Sequence, residues 1–391
     1  MSFINDNHYF KDSISAQLKG MGYRELAKDD GSNKIYYCDV NYNDRKNPTF
    51  NKCEIVNQLD NVNPLGNKKE QYELHMKYYK KRPEYLPFTM SFSRENLDDI
   101  SSLFINNPKD GPLVYIVKPE NDSFRNGVGL VKSKMELIAH LDEFDMYDDW
   151  IIQDYIGNPL LLNGKKFHFR IYVIYVQTKD YQVAYLSRVG FIYTANKEFM
   201  EDTFDPDIVL SGESTPKNVF YVPEDFQKNF GKSKWDDVVL PQIVKITRET
   251  LTSVLDLLKC PRGNQKCFKI LGYDILIDND YRCYLAEINA RGVTYKYPNQ
   301  QFLDTFYKNI LKLVLPNEPL SNKELKMKGI PYERILYKRG GEIMENFGNQ
   351  GDKKLDKVAR FNNFYMKLIF PFLGLVLLLL IIQINWKDLF H

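Results

Sequence analysis

The segment from Lys269 to Arg291, KILGYDILIDNDYRCYLAEINAR, constrains the fold of this chain more than any other. Its two apolar runs flank a polar turn and predict a β-hairpin with buried strands. Polar side chains interrupt both runs, at Asp274 in the first and at Glu287 and Asn289 in the second. An unpaired carboxylate in a buried strand is strongly destabilising, so the hairpin predicts a cation beside these acids.

The three polar side chains are expected to converge on one face of the hairpin. Glu287 and Asn289 are two residues apart and therefore share a face. An even-length turn around NDYR places Asp274 on the same face, opposite or diagonal to Glu287. Oxygen ligands without His or Cys favour Mg²⁺, which typically binds through a few carboxylates together with nucleotide phosphates. The alternative is an exposed face of an edge hairpin that binds no metal.

A lysine at the end of an upstream strand is a second candidate. The stretch VKPENDSFRNGVGL places Lys118 at the end of a predicted buried strand and follows it with a loop that contains Gly127 and Gly129. A lysine supplies a point charge for phosphate oxygens, and glycines let backbone N–H groups approach a phosphate. The loop lacks the Walker pattern and opens no Rossmann βαβ unit.

A third candidate is a basic face on an otherwise apolar strand. Lys166, His168 and Arg170 alternate in KKFHFRIYVIYV, so their side chains are expected on one face. A second long strand, YQVAYLSRVGFIYT, is predicted to pair with this one, and Arg188 on it is expected to join the basic face. Two arginines and a lysine near a magnesium site indicate a strongly anionic ligand, whereas the alternative is a sheet with solvated basic side chains.

Length and composition narrow the class of protein. The chain has 391 residues, which suits two or three domains or one elaborate domain with an appendage, and 43% of the residues are hydrophobic. Its formal net charge of +2 does not suggest nucleic acid as a partner. Five cysteines without a CxxC pair predict neither a disulfide framework nor a zinc site, and we expect a reduced, cytosolic catalytic region.

An uncharged apolar segment near the C-terminus predicts a membrane anchor. Residues Leu368 to Ile384 read LIFPFLGLVLLLLIIQI, which as a helix is near the lower length limit for crossing a bilayer. Five basic residues lie between 353 and 367, and one lysine, Lys387, follows the segment. This bias predicts a single-pass tail anchor with the large N-terminal part on the cytoplasmic side.

Strand and helix patterns are mixed along the chain, and long antiparallel pairs are expected, so the predicted class is α+β. A helix is predicted from Asn299 to Leu315. The predicted organisation is an N-terminal domain at 1–110, a central and C-terminal catalytic part at 111–315, a loose linker at 316–362 and the anchor at 363–386.

Four sequence blocks occur in an order typical of one enzyme family. They read VKP…GVGL, IIQDYIGNPLLLNGKKFHFRIYVIYV, YLSRVG and GYDILIDNDYRCYLAEINA. Over roughly residues 57–315 the chain resembles the tubulin–tyrosine ligase-like amino-acid ligases, a branch of the ATP-grasp enzymes. The resemblance implies an ATP-grasp-like fold in which mixed and antiparallel sheets enclose a nucleotide cleft.

The resemblance also implies how ATP is held. Lys118 would hold the phosphates, with Lys69 a much weaker candidate for a second phosphate lysine. Gln153 would contact the adenine through its side chain, and Tyr155 and Ile156 would do so through their backbone.

The remaining roles concern the transferred group, the metal and the substrate. Lys166 would lie near the ribose or the substrate. Arg170 would steady the transferred phosphoryl group, and Arg188 would bind the carboxylate of the incoming amino acid. The implied Mg²⁺ ligands are Asp274, Glu287 and Asn289.

Two positions depart from the family pattern. The family usually has K-F-D-x-R, and here His168 replaces the acid, although a histidine can still hydrogen-bond a ribose hydroxyl. The family's E-x-N is normally followed by small residues and proline, whereas here Arg291 adds a cation beside the site. These changes affect the expected nucleotide affinity and substrate more than the fold.

Two functions follow from these expectations. In the first, the protein uses ATP and Mg²⁺ to join a free amino acid to a carboxylate on an acidic protein tail, such as that of tubulin. The reaction passes through an acyl phosphate. In the second, a membrane-anchored adaptor of the same fold binds acidic tails through its basic face without catalysis.

Overall fold

The structure is a computed structural model. It describes residues 2–5, 11–25, 34–37, 55–105, 114–120, 127–201, 203–212, 220–261, 266–290 and 300–344. The predicted anchor at 363–386 and Arg291 lie outside these ranges. None of the helices within them is long and apolar enough to cross a membrane.

Helices and strands are mixed, which confirms the α+β class. The strands are β1 (Ser2–Asn5), β2 (Arg24–Glu25), β3 (Lys34–Tyr37), β4 (Ile55–Val56), β5 (Thr89–Ser93), β6 (Tyr115–Pro119), β7 (Gly129–Val131), β8 (Asp149–Asp154), β9 (Leu161–Leu162), β10 (Lys165–Thr178), β11 (Tyr181–Ser187), β12 (Gly190–Thr194), β13 (Phe220–Val222), β14 (Lys266–Ile277), β15 (Cys283–Asn289), β16 (Tyr332–Arg339) and β17 (Glu342–Ile343).

The helices cover both faces of a large sheet and one face of a small one. They are α1 (Lys11–Gly20), α2 (Asn63–Gly66), α3 (Lys68–Tyr79), α4 (Ser101–Ile105), α5 (Lys134–Glu143), α6 (Pro206–Val209), α7 (Glu224–Phe230), α8 (Leu240–Thr252), α9 (Gln300–Val314) and α10 (Asn322–Met327), with a 3₁₀ helix at Arg94–Ile100 and a π-helical segment at Lys234–Val239.

The described strands form two sheets. The large one has thirteen strands, with the order β17-β16-β11-β10-β14-β4-β3-β1-β2 along its main path. The small one has the order β5-β8-β6-β7 and packs against α5 through a core that includes Trp150 and Leu137. β5 and β4 belong to different sheets, so the predicted N-terminal domain at 1–110 contributes strands to both.

β10 and β14 pair antiparallel along almost their whole length at the centre of the large sheet. On one face, Phe169 and Val173 pack in the core that α8 covers with Ile243 and Ile246. On the other face, Tyr172 and its neighbours pack against α9. Because both faces are covered, these strands read as nearly continuous apolar runs.

The predicted hairpin is confirmed as β14 and β15, with Asp274 directly opposite Glu287 and Gly272 opposite Asn289. The predicted even-length turn is wrong, because Ile277 pairs with Cys283 and five residues, 278–282, lie between them. An odd turn alone would put Asp274 and Glu287 on opposite faces.

A β-bulge restores the expected arrangement. The register shifts between Asp274 and Ile275, whose partners are Glu287 and Leu285, so Ala286 is the extra residue. An extra residue reverses the alternation of side chains beyond it. The bulge therefore compensates for the odd turn and returns the two carboxylates to one face.

Two further expectations differ from the structure. The predicted linker at 316–362 is part of the fold as far as residue 343, because α10 lies in it and β16 pairs with β11 in the large sheet. The predicted strand through YQVAYLSRVGFIYT is divided at Arg188 and Val189 into β11 and β12, which both pair with β10.

The cysteines also differ from the expectation of a reduced set. Cys260 and Cys267 form a disulfide, with their Cα atoms 5.5 Å apart. The two residues are seven positions apart in the chain, between the α8 region and the first strand positions of β14. The thiol of Cys283 is free and buried.

Replacing Phe169 by Ala is expected to lower the free energy of unfolding by about 3–5 kcal/mol, because it leaves a cavity directly behind the site strand. The ring of Phe169 is fully buried and lies 5.5 Å from Phe226 and 5.7 Å from Trp235. Urea denaturation measures the change. Met135→Ala, at an 82% exposed position, is the control and should stay within about 0.5 kcal/mol.

Candidate functional site

A row of charged side chains crosses three strands of the large sheet. Arg170 on β10 lies opposite Asp274 on β14, which lies opposite Glu287 on β15. Arg170 donates through Nε to one carboxylate oxygen of Asp274 and through Nη2 to the other at 2.8 Å. This bidentate pair is largely buried, with side-chain exposures of 18% for Arg170 and 8% for Asp274.

The three predicted magnesium ligands lie together. The Nδ2 of Asn289 donates to Oδ2 of Asp274 and to Oε1 of Glu287, both at 3.2 Å. Turning this amide would present its oxygen beside the two carboxylates, and such an all-oxygen set fits Mg²⁺.

The set would not enclose a metal ion by itself. In the described ranges, no group of three or more His, Cys, Asp or Glu side chains could hold a metal ion. With only two carboxylates and an amide, the remaining ligands of Mg²⁺ would be phosphate oxygens and water.

The two carboxyl groups have opposite pKa shifts. Burial raises the pKa of Asp274 to about 6, against the opposing effect of Arg170. Burial would also raise the pKa of Glu287, but Lys68, Arg170 and Lys118 outweigh it and lower that pKa to about 2. The cations of Lys68, Arg170 and Lys118 therefore favour the charged form of Glu287.

Lys68 belongs to the site, and sequence reasoning missed it. Its Nζ lies 3.6 Å from Oε2 of Glu287, whereas Nζ of Lys69, the weak candidate, lies 3.9 Å from Oε2 of Glu120. The side chain of Asn67 caps α3 by accepting from the backbone N–H of Glu70, which fixes the first turn of the helix. That capping pattern could have predicted the start of a helix at Lys68. It could not have shown whether Lys68 or Lys69 faces the site.

Lys118 lies on β6 of the small sheet and is buried. Its Nζ donates to Oε1 of Gln153 at 2.9 Å, and Gln153 in turn donates to the hydroxyl of Thr89 at 2.8 Å. Burial, with help from the nearby Lys68 and against the opposing effect of Glu287, lowers the pKa of Lys118 to about 7. Glu120, two residues after Lys118, accepts from Nδ2 of Asn67 at 3.4 Å, so the end of β6 lies beside the start of α3, which carries Lys68.

The glycines after Lys118 have packing roles. Gly127 has φ +66°, and a Cβ on Gly129 would lie 2.5 Å from the ring of His140. Most of the predicted phosphate loop, residues 121–126, lies outside the described ranges. Neither glycine therefore provides independent support for a phosphate contact.

Lys166 is buried beside the predicted adenine segment. Its Nζ donates to the carbonyl of Ile156 at 3.3 Å and lies 4.0 Å from the ring centroid of Tyr155. The backbone N–H of Tyr155 donates to the carbonyl of Val114. Burial lowers the pKa of Lys166 to about 7. The backbone of Tyr155 and Ile156, which was predicted to contact the adenine, therefore makes hydrogen bonds within the protein in this structure.

Two aromatic side chains border Arg170. The Nδ1 of His168 lies 2.7 Å from the hydroxyl of Ser211, and its Nε2 lies 3.7 Å from Oδ1 of Asp274. Tyr193 on β12 pairs with His168, and its ring lies 5.5 Å from Cζ of Arg170. Sequence reasoning missed Tyr193 because its strand was taken as a continuation of β11.

Arg188 is placed differently from the other predicted residues. Its Nη2 lies 2.6 Å from Oε2 of Glu333, and its backbone N–H donates to the carbonyl of Pro331. None of these described contacts joins Arg188 to Arg170 or to the carboxylates. The structure therefore brings together Arg170 and the three magnesium ligands but leaves Arg188 at the β11–β12 turn.

A cavity of about 350 Å³ lies among residues of α9 and the β11–β12 turn. Its lining includes Tyr221, Phe302, Phe306 and Tyr332 and no charged side chain. Phosphates and carboxylates need cationic partners when buried. The cavity is thus unsuited to the triphosphate, and the charged row remains the candidate nucleotide site.

The chain is similar to known proteins over most of its length. A profile of the tubulin-tyrosine ligase family matches residues 45–324. The probable alpha-tubulin polyglutamylase Ttll1 of Tetrahymena thermophila is 25% identical over 342 residues, which cover 74% of this chain and 80% of the relative.

Other relatives are longer. The mouse tubulin polyglutamylase TTLL7 is 23% identical over 354 residues, covering 81% of this chain and 38% of the relative. Tubulin glycylase 3D of Tetrahymena thermophila is 24% identical over 219 residues, covering 52% of this chain and 20% of the relative. The chain thus spans well under half the length of these two relatives.

The matched range includes the whole charged row, its β14–β15 hairpin and the two buried lysines, Lys118 and Lys166. It also covers well over half of the chain. The protein therefore belongs to the tubulin-tyrosine ligase family, and this membership indicates an ATP-dependent ligase.

Proposed function

We propose that the protein joins a free amino acid to a carboxylate of an acidic protein tail, in a reaction that requires ATP and Mg²⁺. The observation that carries this proposal is the convergence of Arg170, Asp274, Glu287 and Asn289 beside the cations of Lys68 and Lys118. Such a set suits a polyphosphate bound with a divalent metal.

The proposed reaction has two steps. A carboxylate oxygen of the acceptor bonds to the γ-phosphorus while the bond to ADP breaks, which gives an acyl phosphate. The amine nitrogen of the amino acid then attacks the acyl carbon, loses a proton and displaces phosphate. The product is an amide or isopeptide bond.

The side chains contribute mainly by position and charge. Asp274, Glu287 and Asn289 would hold Mg²⁺, which when bound neutralises charge on the phosphate oxygens. Lys118, kept in place by Gln153, would bind phosphate oxygens as a point charge. Preorganised charges of this kind are commonly the largest contribution to catalysis.

On the opposite side of the row, Arg170 would steady the transferred group. Its planar guanidinium suits two oxygens of one phosphoryl group. Lys166, His168 and the segment Tyr155–Ile156 would line the nucleoside end of the cleft. Arg188 stays a proposed contact for the amino-acid carboxylate, supported by its charge and the family resemblance alone.

The acceptor class is proposed from the relatives. Polyglutamylases and a glycylase that act on tubulin support tubulin or a similarly acidic protein as acceptor, and glutamate or glycine as the added amino acid. Incubating the protein with tubulin, ATP and mixed amino acids, followed by mass spectrometry of the tails, tests both assignments.

A binding-only adaptor of the same fold is the second candidate, because His168 replaces the acid usual in the family. Calorimetry with Mg·ATP separates the two functions. An adaptor that has lost the nucleotide would show no binding at millimolar concentration, whereas the proposed ligase must bind.

Glu287→Gln is expected to reduce ATP-dependent amino-acid incorporation by about 100-fold or more, because it removes one of the two carboxylates of the metal set. Labelled amino acids and tubulin provide the assay. Glu342→Gln, at an exposed position of β17, is the matched control and should retain the parent rate. Equal turnover of Glu287→Gln and the parent would disprove the metal assignment.

Lys68→Ala is expected to weaken Mg·ATP binding by about tenfold to a hundredfold, since hydrogen bonds to charged groups contribute about 1.5–3 kcal/mol. Lys69→Ala is the neighbouring control and should weaken binding far less, because Lys69 faces Glu120. Titration calorimetry measures both. A larger loss in Lys69→Ala would show that the helix presents the other lysine to the nucleotide.

The tail anchor stays a prediction, with the catalytic part proposed to face the cytoplasm. Full-length protein is expected in the membrane fraction, and a version that ends at Phe361 in the soluble fraction, because the apolar segment lies beyond that point. Fractionation of cells that express each version measures this. Identical partitioning of the two versions would contradict the anchor.

A further inference from the structure

Arg170 and the proposed metal ion share one partner, the carboxylate of Asp274. Both carboxylate oxygens of Asp274 accept hydrogen bonds from Arg170 in this structure. A divalent cation bound by Asp274 needs at least one of those oxygens. If the proposed function is correct, the cation repels the guanidinium and shares the carboxylate charge, so Asp274 holds Arg170 less firmly when the metal and nucleotide bind.

An arginine held less firmly would lose order without a second support. The arginine side chain has several rotatable bonds, and fixing them costs conformational entropy. To bind the transferred phosphoryl group, the guanidinium must nevertheless remain above the sheet, close to where it lies now. The aromatic ring of Tyr193 offers such a support.

Tyr193 lies close to Arg170, and neighbouring rings and strand pairing hold it there. Its ring centroid lies 5.5 Å from Cζ of Arg170, within the range of cation–π attraction. The ring of Phe191 stacks on it at 6.1 Å with an interplanar angle of 25°, and the ring of His168 lies 5.4 Å away. Backbone pairing of β12 with β10 fixes these three rings beside Arg170.

We propose that Tyr193 is a positioning residue that keeps the guanidinium of Arg170 over the phosphoryl site while Asp274 binds the metal. This inference rests on the proposed function. The ring of Tyr193, and not its hydroxyl, carries the effect. Its contribution appears only when the ligand has a γ-phosphate for Arg170 to meet.

The test compares Tyr193→Leu, Tyr193→Phe and Tyr221→Leu in the full chain. Tyr221 is the matched control, because its ring packs on Phe191 at 5.6 Å but lies one strand farther out, on β13. Calorimetry measures the affinity of each for Mg·ADP and for a non-hydrolysable Mg·ATP analogue. Thermal denaturation verifies that each variant is folded.

Tyr193→Leu is expected to weaken binding of the ATP analogue by about threefold to tenfold and to leave ADP affinity unchanged, as the loss of a cation–π contact predicts. Tyr193→Phe should behave like the parent, because the ring remains. In an Arg170→Met background, Tyr193→Leu should have no further effect on either ligand.

Several results would overturn the inference. Equal losses for ADP and the analogue, an equal loss in Tyr221→Leu, or an undiminished effect in the Arg170→Met background would each indicate a structural role alone. A loss in Tyr193→Phe as large as in Tyr193→Leu would assign the effect to the hydroxyl instead. If the parent binds neither nucleotide, the proposed function itself fails.

Discussion

The antiparallel pairing of β10 with β14 is the interaction on which the rest of the structure depends. These two strands are covered on both faces, by α8 on one side and α9 on the other, and they therefore have little freedom to shift. Their register sets Arg170 opposite Asp274. A buried pair of charges is tolerated only in good geometry, and here the guanidinium meets both carboxylate oxygens. The apolar packing thus holds in place the polar contact that a phosphate ligand would use.

The sequence predicted the parts of the site that lie within single strands. Alternation was enough to place Glu287 beside Asn289, and the acids in apolar runs indicated that charges are buried there. The sequence did not predict the route by which Asp274 reaches the same face. The odd turn and the bulge each reverse the alternation of side chains, so their effects cancel. Nothing in the sequence around Ala286 marks it as the extra residue.

Residues that arrive from distant elements were harder to predict. Lys68 reaches Glu287 from the first turn of α3. Tyr193 reaches Arg170 only because β11 ends before Arg188 and a new strand, β12, begins after Val189. Composition also led to the wrong prediction of a loose linker after residue 315. Residues after 316 are rich in Lys, Glu and Gly, yet YERILYKR contributes β16 through its buried apolar positions, Ile335 and Leu336.

Because of the bulge, the arrangement of the candidate site depends on whether the number of residues between Asp274 and Glu287 is odd or even. Each residue added to or removed from the segment between Asp274 and Glu287 exchanges the inward and outward faces of one strand relative to the other. Single-residue length changes there would separate the two carboxylates across the thickness of the sheet, although every side chain of the site is still present. Length changes of two would keep them together. Chain length in this segment is therefore as much a determinant of the chemistry as the identity of the acids.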